Sequence, residues 1–287
     1  MQEDDLRESA NIEDRRGFSM GGIGAGGLGI GAVIVLTLIG WATGIDPSAL
    51  INGAEQVTQT RPAQQAQVQP GTPSDDVGRF VARILGETED VWSQQLPAET
   101  GRQYEKPILV LFSGATASAC GAAQSAMGPF YCPRDRKLYL DTSFFGDMQR
   151  RLGGGGDFAY AYVIAHEVGH HVQNLLGLLP KVQAAERQTD EATANNLSVR
   201  TELMADCLAG AWANHMNARH HNLDQRDLEQ AVRTASAIGD DRLSRAAGRA
   251  IVPDSFTHGS SEQRVRWLTT GFRAGTIAAC NTFEASR

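Results

Sequence analysis

The stretch Ala165-His166-Glu167-Val168-Gly169-His170-His171 limits most severely what this chain can fold into. Residues four apart share one face of a helix, so His166 and His170 can grip one metal ion only if this stretch is helical. Glu167 adjoins that face and can reach a water on the ion as general base. The surroundings suit a buried helix. Gly153 to Gly156 form a loop, Asp157 follows as an N-cap, and Phe158 to Ile164 is largely apolar without Gly or Pro. Val172, Leu175 and Leu176 continue the pattern, and Gly177 and Pro180 stop it. Buried imidazoles need partners, and a metal ion is one. The competing reading is a helix whose histidines merely face water.

A catalytic zinc takes three protein ligands and keeps a fourth position for water. The pattern in which a third His follows six residues on is excluded, because Leu176 stands at that position. The candidate lies in Arg200-Thr201-Glu202-Leu203-Met204-Ala205-Asp206-Cys207, within a second helical pattern running from about Asn196 to Asn217. Glu202 and Asp206 are four apart among apolar neighbours, where carboxylates are costly unless paired or metal-bound. Glu202 is read as the third ligand. Asp206 is read as the acceptor of the free ring N–H of a ligand histidine. The alternative is an ion-paired surface strip served by Arg200 or Arg187.

The N-terminal region divides by composition. Residues 1–16 are short, polar and charged, and are expected to be an unstructured cytoplasmic tail. Residues 17–45 carry no charge and are long enough for one transmembrane helix. A cleavable signal peptide ending near Ala42-Thr43-Gly44 is the rival reading. Arg7, Arg15 and Arg16 precede the span and the next basic residue is Arg61, so the positive-inside rule puts the remaining chain outside the cytoplasm. Gly22 with Gly26, and Gly27 with Gly31, have the spacing of close-packing membrane helices, an invitation to a homodimer. Residues 46–74 are rich in Gln and Pro and read as a linker. The folded domain is expected over 75–287. Its four cysteines, Cys120, Cys132, Cys207 and Cys280, form no Cys-x-x-Cys and suit an exported domain with two disulfides. Three pairings are open. Cys120 with Cys132, closing a short loop, and Cys207 with Cys280 are favoured.

A net charge of -7 and the lack of a basic stretch interleaved with aromatics argue against nucleic acid as partner. Val77 to Leu96 reads as a helix and Pro107 to Phe112 as a buried strand. Phe130 to Cys132 and Lys137 to Leu140 flank a turn at Pro133 to Arg136, a hairpin. Helices follow to the end, which implies an α+β fold, mostly helical with a small sheet. Ser260 and Gln263 form a capping box for a last helix. His215, His220 and His221 read as a solvated helix end, and His171 points away from the metal face.

The chain resembles the bacterial family of "putative neutral zinc metallopeptidases", membrane-anchored and gluzincin-like. The likeness rests on Gly128 to Pro133, Ala165 to Gln173, Glu202 to Cys207, Ile238 to Leu243 and Phe256 to Arg264, with Glu13 to Arg16 ahead of the apolar stretch. It implies a zincin-like domain and a Zn2+ cofactor. It also implies that extended substrate pairs with an edge strand, here the hairpin of Tyr131 to Leu140. His258, by the same likeness, lines the cleft or stabilises the oxyanion, a capping role being the alternative. The resulting expectation is a membrane-anchored zinc endopeptidase of the bacterial inner membrane, single-pass, with its domain in the periplasm or outside the cell. Its partner is a protein or peptide substrate. Two other readings are a zinc hydrolase of a non-peptide, cell-wall type amide and a catalytically silent tethered scaffold.

Overall fold

Ile108–Phe112 is apolar at every position and forms a strand buried on both faces, as such runs do in parallel sheets. The computed structural model in which it lies describes residues 1–16, 69–70, 73–124, 128–151, 155–246 and 250–284. Strands β1 (Ile12–Asp14), β2 (Gln69–Pro70), β3 (Ile108–Phe112), β6 (Phe130–Cys132) and β7 (Lys137–Asp141) make one sheet in the order β2-β1-β3-β7-β6. β1 and β7 run parallel to β3, and the outer strands β2 and β6 are antiparallel to their neighbours. A separate hairpin joins β4 (Ala115–Ser118) to β5 (Gly121–Gln124). The predicted hairpin of β6 and β7 is present, and β6 is the sheet edge.

Alternation sorts the side chains. Leu109 and Leu111 of β3 join Leu138 and Leu140 of β7 in the main core, against the helices. Val110, Phe112 and Tyr139 turn the other way and pack with Ala123 and Cys132. The helix α1 (Asp76–Thr100) supplies Val81, Ile84, Leu85, Trp92 and Leu96 to the main core. The side chain of Asp75 caps it by accepting from Gly78 N–H.

Helices dominate after β7: α2 (Ser143–Arg151), α3 (Asp157–Leu175), α4 (Leu178–Glu186), α5 (Glu191–His220), α6 (Gln225–Ala237), α7 (Asp240–Ala246) and α8 (Ser261–Ala274). The fold is therefore α+β, mostly helical with a small sheet. Two local expectations shift. Asp157 stands inside the first turn of α3, and Gly156 is the N-cap. Pro180 belongs to the first turn of α4, where its missing N–H is not needed, so it starts a helix as well as following one. The second site helix is longer than its apolar pattern because Asp190 caps it from below, accepting from Thr193 N–H.

The N-terminal expectation needs correction. Residues 1–16 are not an unstructured tail: β1 lies inside the sheet, and Leu6, Ser9 and Ile12 are buried. Their low apolar content is offset by backbone pairing and by polar contacts to buried groups of α1. The stretch 17–45, with its transmembrane and Gly-x-x-x-Gly readings, lies outside the described residues. So does the linker, apart from Gln69–Pro70 and residues 73–74. Among the described residues no helix is long and apolar enough to cross a membrane. Disulfides join Cys120 to Cys132 and Cys207 to Cys280, the favoured pairing, and no described cysteine is free.

Candidate metal centre

The apolar run on α3 buries the helix, and burial carries His166 and Glu167 inward with it. α5 packs across α3, with Gly169 at the contact. A Cβ on Gly169 would stand 3.0 Å from Ala205 O and 3.1 Å from Ala205 Cα. The missing side chain lets the two backbones approach and brings Glu202 to the histidines. Donor atoms of His166, His170 and Glu202 all lie within 4.8 Å of one another. His166 Nε2 is 3.2 Å from Glu202 Oε2, and His170 Nε2 is 3.4 Å from Glu202 Oε1. These separations match the about 3.3–3.4 Å that a tetrahedral ion with ligands at about 2.0–2.1 Å sets between two donors.

The other ring nitrogens are already engaged. His166 Nδ1–H donates to Asp206 Oδ1 at 2.9 Å, as the spacing of Glu202 and Asp206 led us to expect. His170 Nδ1–H donates to Gln173 Oε1 at 2.9 Å, and Gln173 Nε2 donates to Thr201 O at 2.7 Å. With Nδ1 engaged in this way, Nε2 of each ring is the atom left to face Glu202 and to bind a metal in place of a proton. Asp206 is fully buried and accepts from Tyr162 Oη at 2.5 Å and from Arg264 Nε and Nη2 at 2.8 and 2.9 Å. Tyr162, Gln173 and Arg264 escaped the sequence reading. Their signals were spacing: Tyr162 is four residues before His166, Gln173 three after His170. Arg264 shares its buried stripe with Leu268 and Gly271 at i, i+4 and i+7.

The electrostatics favour positive charge between the ligands. Burial opposes an imidazolium at His166, yet the hydrogen bond and charge of Asp206, with Glu202, raise its pKa to about 10. Burial opposes ionisation of Asp206 too, and Arg264 and His166 outweigh it, bringing the group to about 2. Glu202 is likewise held well below the usual carboxylate range, because the charges and hydrogen bonds of both histidines overcome burial. A metal ion can occupy the place that this field offers to a proton. Glu167 differs: burial raises its pKa, the property of a carboxylate suited to proton transfer.

His171 does not join the cluster. Its Nε2–H donates to Glu105 O at 2.6 Å and its Nδ1 accepts from Tyr131 Oη at 3.0 Å. Burial holds it neutral, with its pKa down to about 4. Asn174 Nδ2 also donates to Tyr131 Oη, at 2.9 Å, so α3 holds the edge strand β6 by two residues just past His170. His258 sits in the loop before α8. Its backbone N–H donates to Asp240 Oδ2 at 2.6 Å and its Nδ1 lies 3.3 Å from Asp240 Oδ1. The hydrogen bond to Asp240 raises its pKa, with the charge of Glu202 adding to the effect. The cap of α8 is Ser260 with Gln263, so capping does not require His258. Of the three helix-end histidines, two are partnered: His215 Nε2 is 2.7 Å from Gly275 O and His220 Nε2 is 3.1 Å from the buried Glu87, whereas His221 is exposed as expected.

The family model described as "Putative neutral zinc metallopeptidase" matches residues 1–283. The chain is 47% identical to "Uncharacterized protein YpfJ" of Escherichia coli (strain K12) over 290 residues, covering 98% of each chain. It is 38% identical to "Uncharacterized protein Rv2575" of Mycobacterium tuberculosis over 257 residues, covering 85% of this chain and 84% of that one. No solved structure matches it. With its ligand set, its buried carboxylate and a match over nearly its whole length, the chain belongs to the putative neutral zinc metallopeptidase family.

Proposed function

We propose that this protein is a zinc-dependent endopeptidase, attached to a membrane and acting outside the cytoplasm. One observation carries the reading: two histidine Nε2 atoms converge on the Glu202 carboxylate while both Nδ1 atoms are engaged by Asp206 and Gln173. His166, His170 and Glu202 would hold the ion. A zinc ion held by them would supply Lewis-acid chemistry, lowering the pKa of a water to about 7 and polarising a carbonyl. Glu167 takes the proton of the attacking water on its carboxylate and returns it to the leaving nitrogen; its raised pKa supports this exchange. Asp206 and Gln173 keep the ligand tautomers fixed. His258, steadied by Asp240, donates to the oxygen on which charge develops. The edge strand β6 binds extended substrate by backbone pairing. Two disulfides support an oxidising compartment.

The test combines elemental analysis with cleavage of casein and a peptide library, with and without chelator. His166→Ala and Glu202→Ala should lose zinc. Glu167→Gln should keep zinc and lose activity by about a hundredfold or more, the usual order for a general base. Full zinc in both ligand variants, or full activity in Glu167→Gln, would refute the assignment.

A further inference from the structure

The segment ahead of the uncharged stretch is built into the domain. In the parallel pairing of β1 with β3, Ile12 stands opposite Leu109, Glu13 opposite Val110 and Asp14 opposite Leu111. Leu109 N–H donates to Asn11 O at 2.9 Å and Arg15 N–H to Leu111 O at 2.7 Å. Glu89 of α1 is fully buried, and its carboxylate accepts from Ser9 Oγ at 2.6 Å, Asn11 Nδ2 at 2.7 Å and Arg7 Nη2 at 2.9 Å. Away from this segment, Lys106 reaches the same carboxylate at 3.2 Å. Without residues 7–11 most of the partners of a buried charge would be gone. Gly86 records the same docking: a Cβ there would stand 2.2 Å from Arg7 O, so α1 is bare where the segment crosses it.

The sheet also fixes where the chain returns. β2 is antiparallel to β1, with Asp14 opposite Gln69. The chain therefore leaves the sheet after Arg16 and re-enters it at Gln69 on the adjacent strand, about 5 Å away. Both ends of the excursion from 17 to 68 are tied to one folded body. A closed excursion crosses a bilayer an even number of times. Two crossings need about forty predominantly apolar residues. The uncharged stretch 17–45 suffices for one, and the remainder carries Asp46, Glu55, Arg61 and a series of glutamines.

We infer that residues 1–16 and the metallopeptidase domain lie on the same side of the membrane, because the pairing of β1 with β3 and β2 holds both in one folded body. This replaces the single-pass arrangement, which put the first sixteen residues and the domain in different compartments. It also disfavours cleavage near Ala42-Thr43-Gly44, which would detach a strand lying inside the sheet from its own chain. The inference uses the membrane attachment proposed above but not the zinc chemistry.

The full-length protein in its native membrane provides the test. Asp5→Cys and Arg226→Cys are both on exposed positions, and the native cysteines are bonded, so each variant offers one new thiol. A membrane-impermeant maleimide, applied to intact and then to opened cells, should report the same side for both. Intact mass measurement should find residues 1–16 still on the chain. Ile12→Asp should lower the thermal midpoint by several degrees. Opposite sides for the two thiols, a mature chain starting beyond Arg16, or an unmoved midpoint in Ile12→Asp would each overturn the placement. Recovery of the protein wholly in the soluble fraction would overturn the membrane contact alone.

Discussion

Asp206 joins three helices through its own two oxygens: it stands on α5, receives Tyr162 and His166 from α3, and receives Arg264 from α8. Breaking a buried ion pair from one side costs about 3–5 kcal/mol, since the remaining charge keeps its burial and loses its partner. Arg264→Met should therefore destabilise by about that amount in a denaturant titration, although Met fills similar space. An unchanged midpoint would mean that Asp206 does not depend on Arg264. Gln173→Leu should be milder for the fold and harsher for the site. It removes the acceptor of the His170 Nδ1–H, and the loss of such a partner lowers metal affinity by about 10–100-fold, measurable by competition with a chelator. The clustering of His166, His170, Glu202 and Asp206 was legible in sequence because four-residue spacings on apolar helices leave few alternatives. Arg264 was not, because an arginine in an amphipathic helix is ordinarily solvent-facing, and only its place on the buried stripe with Leu268 and Gly271 betrays it.

At the scale of elements, α1 and β1 form a unit whose stability depends on pH. Burial pushes the Glu89 pKa up, but hydrogen bonds from Asn11, Ser9, Arg7 and Lys106 outweigh it, so the folded value lies below the ordinary 4.5. A depressed carboxylate contributes stability that is complete above the unfolded pKa and is lost as pH falls through the folded one. Docking of residues 7–12 should thus be full at neutral pH and weaken below about pH 4.5. Hydrogen exchange at Ser9 to Ile12 reports it, and Glu89→Gln should flatten the acid dependence there. Exchange equally slow at acid and neutral pH would contradict the role of Glu89. Sequence could not reveal this unit. β1 holds only Ile-Glu-Asp, too short for a period of two, and its pairing partner lies some hundred residues away. By contrast α1, α3, β3 and the β6–β7 hairpin were legible, because each carries its own periodicity and punctuation.

For the whole molecule, the bond between Cys207 and Cys280 spans 73 residues and that between Cys120 and Cys132 spans 12. Stabilisation by a crosslink grows with the loop it closes, and losing a native one costs about 2–5 kcal/mol. Replacing Cys207 and Cys280 together by Ala should lower the thermal midpoint more than replacing the other pair. The reverse order in calorimetry would show that local geometry, not chain length, governs here. The longer bond begins beside Asp206, so the C-terminal end is fastened next to the site rather than at the periphery.

The convergence of α3, α5 and α8 on His166 and Asp206 has a further result. An ion held by His166, His170 and Glu202 would rivet two of those helices together, and it has no comparable home in the unfolded chain. Heat resistance and metal supply then become one variable. A hundredfold excess of free zinc over its dissociation constant adds about 2.7 kcal/mol to unfolding. A series of melting curves at buffered zinc concentrations would read out occupancy of the centre in degrees, with no substrate needed at all.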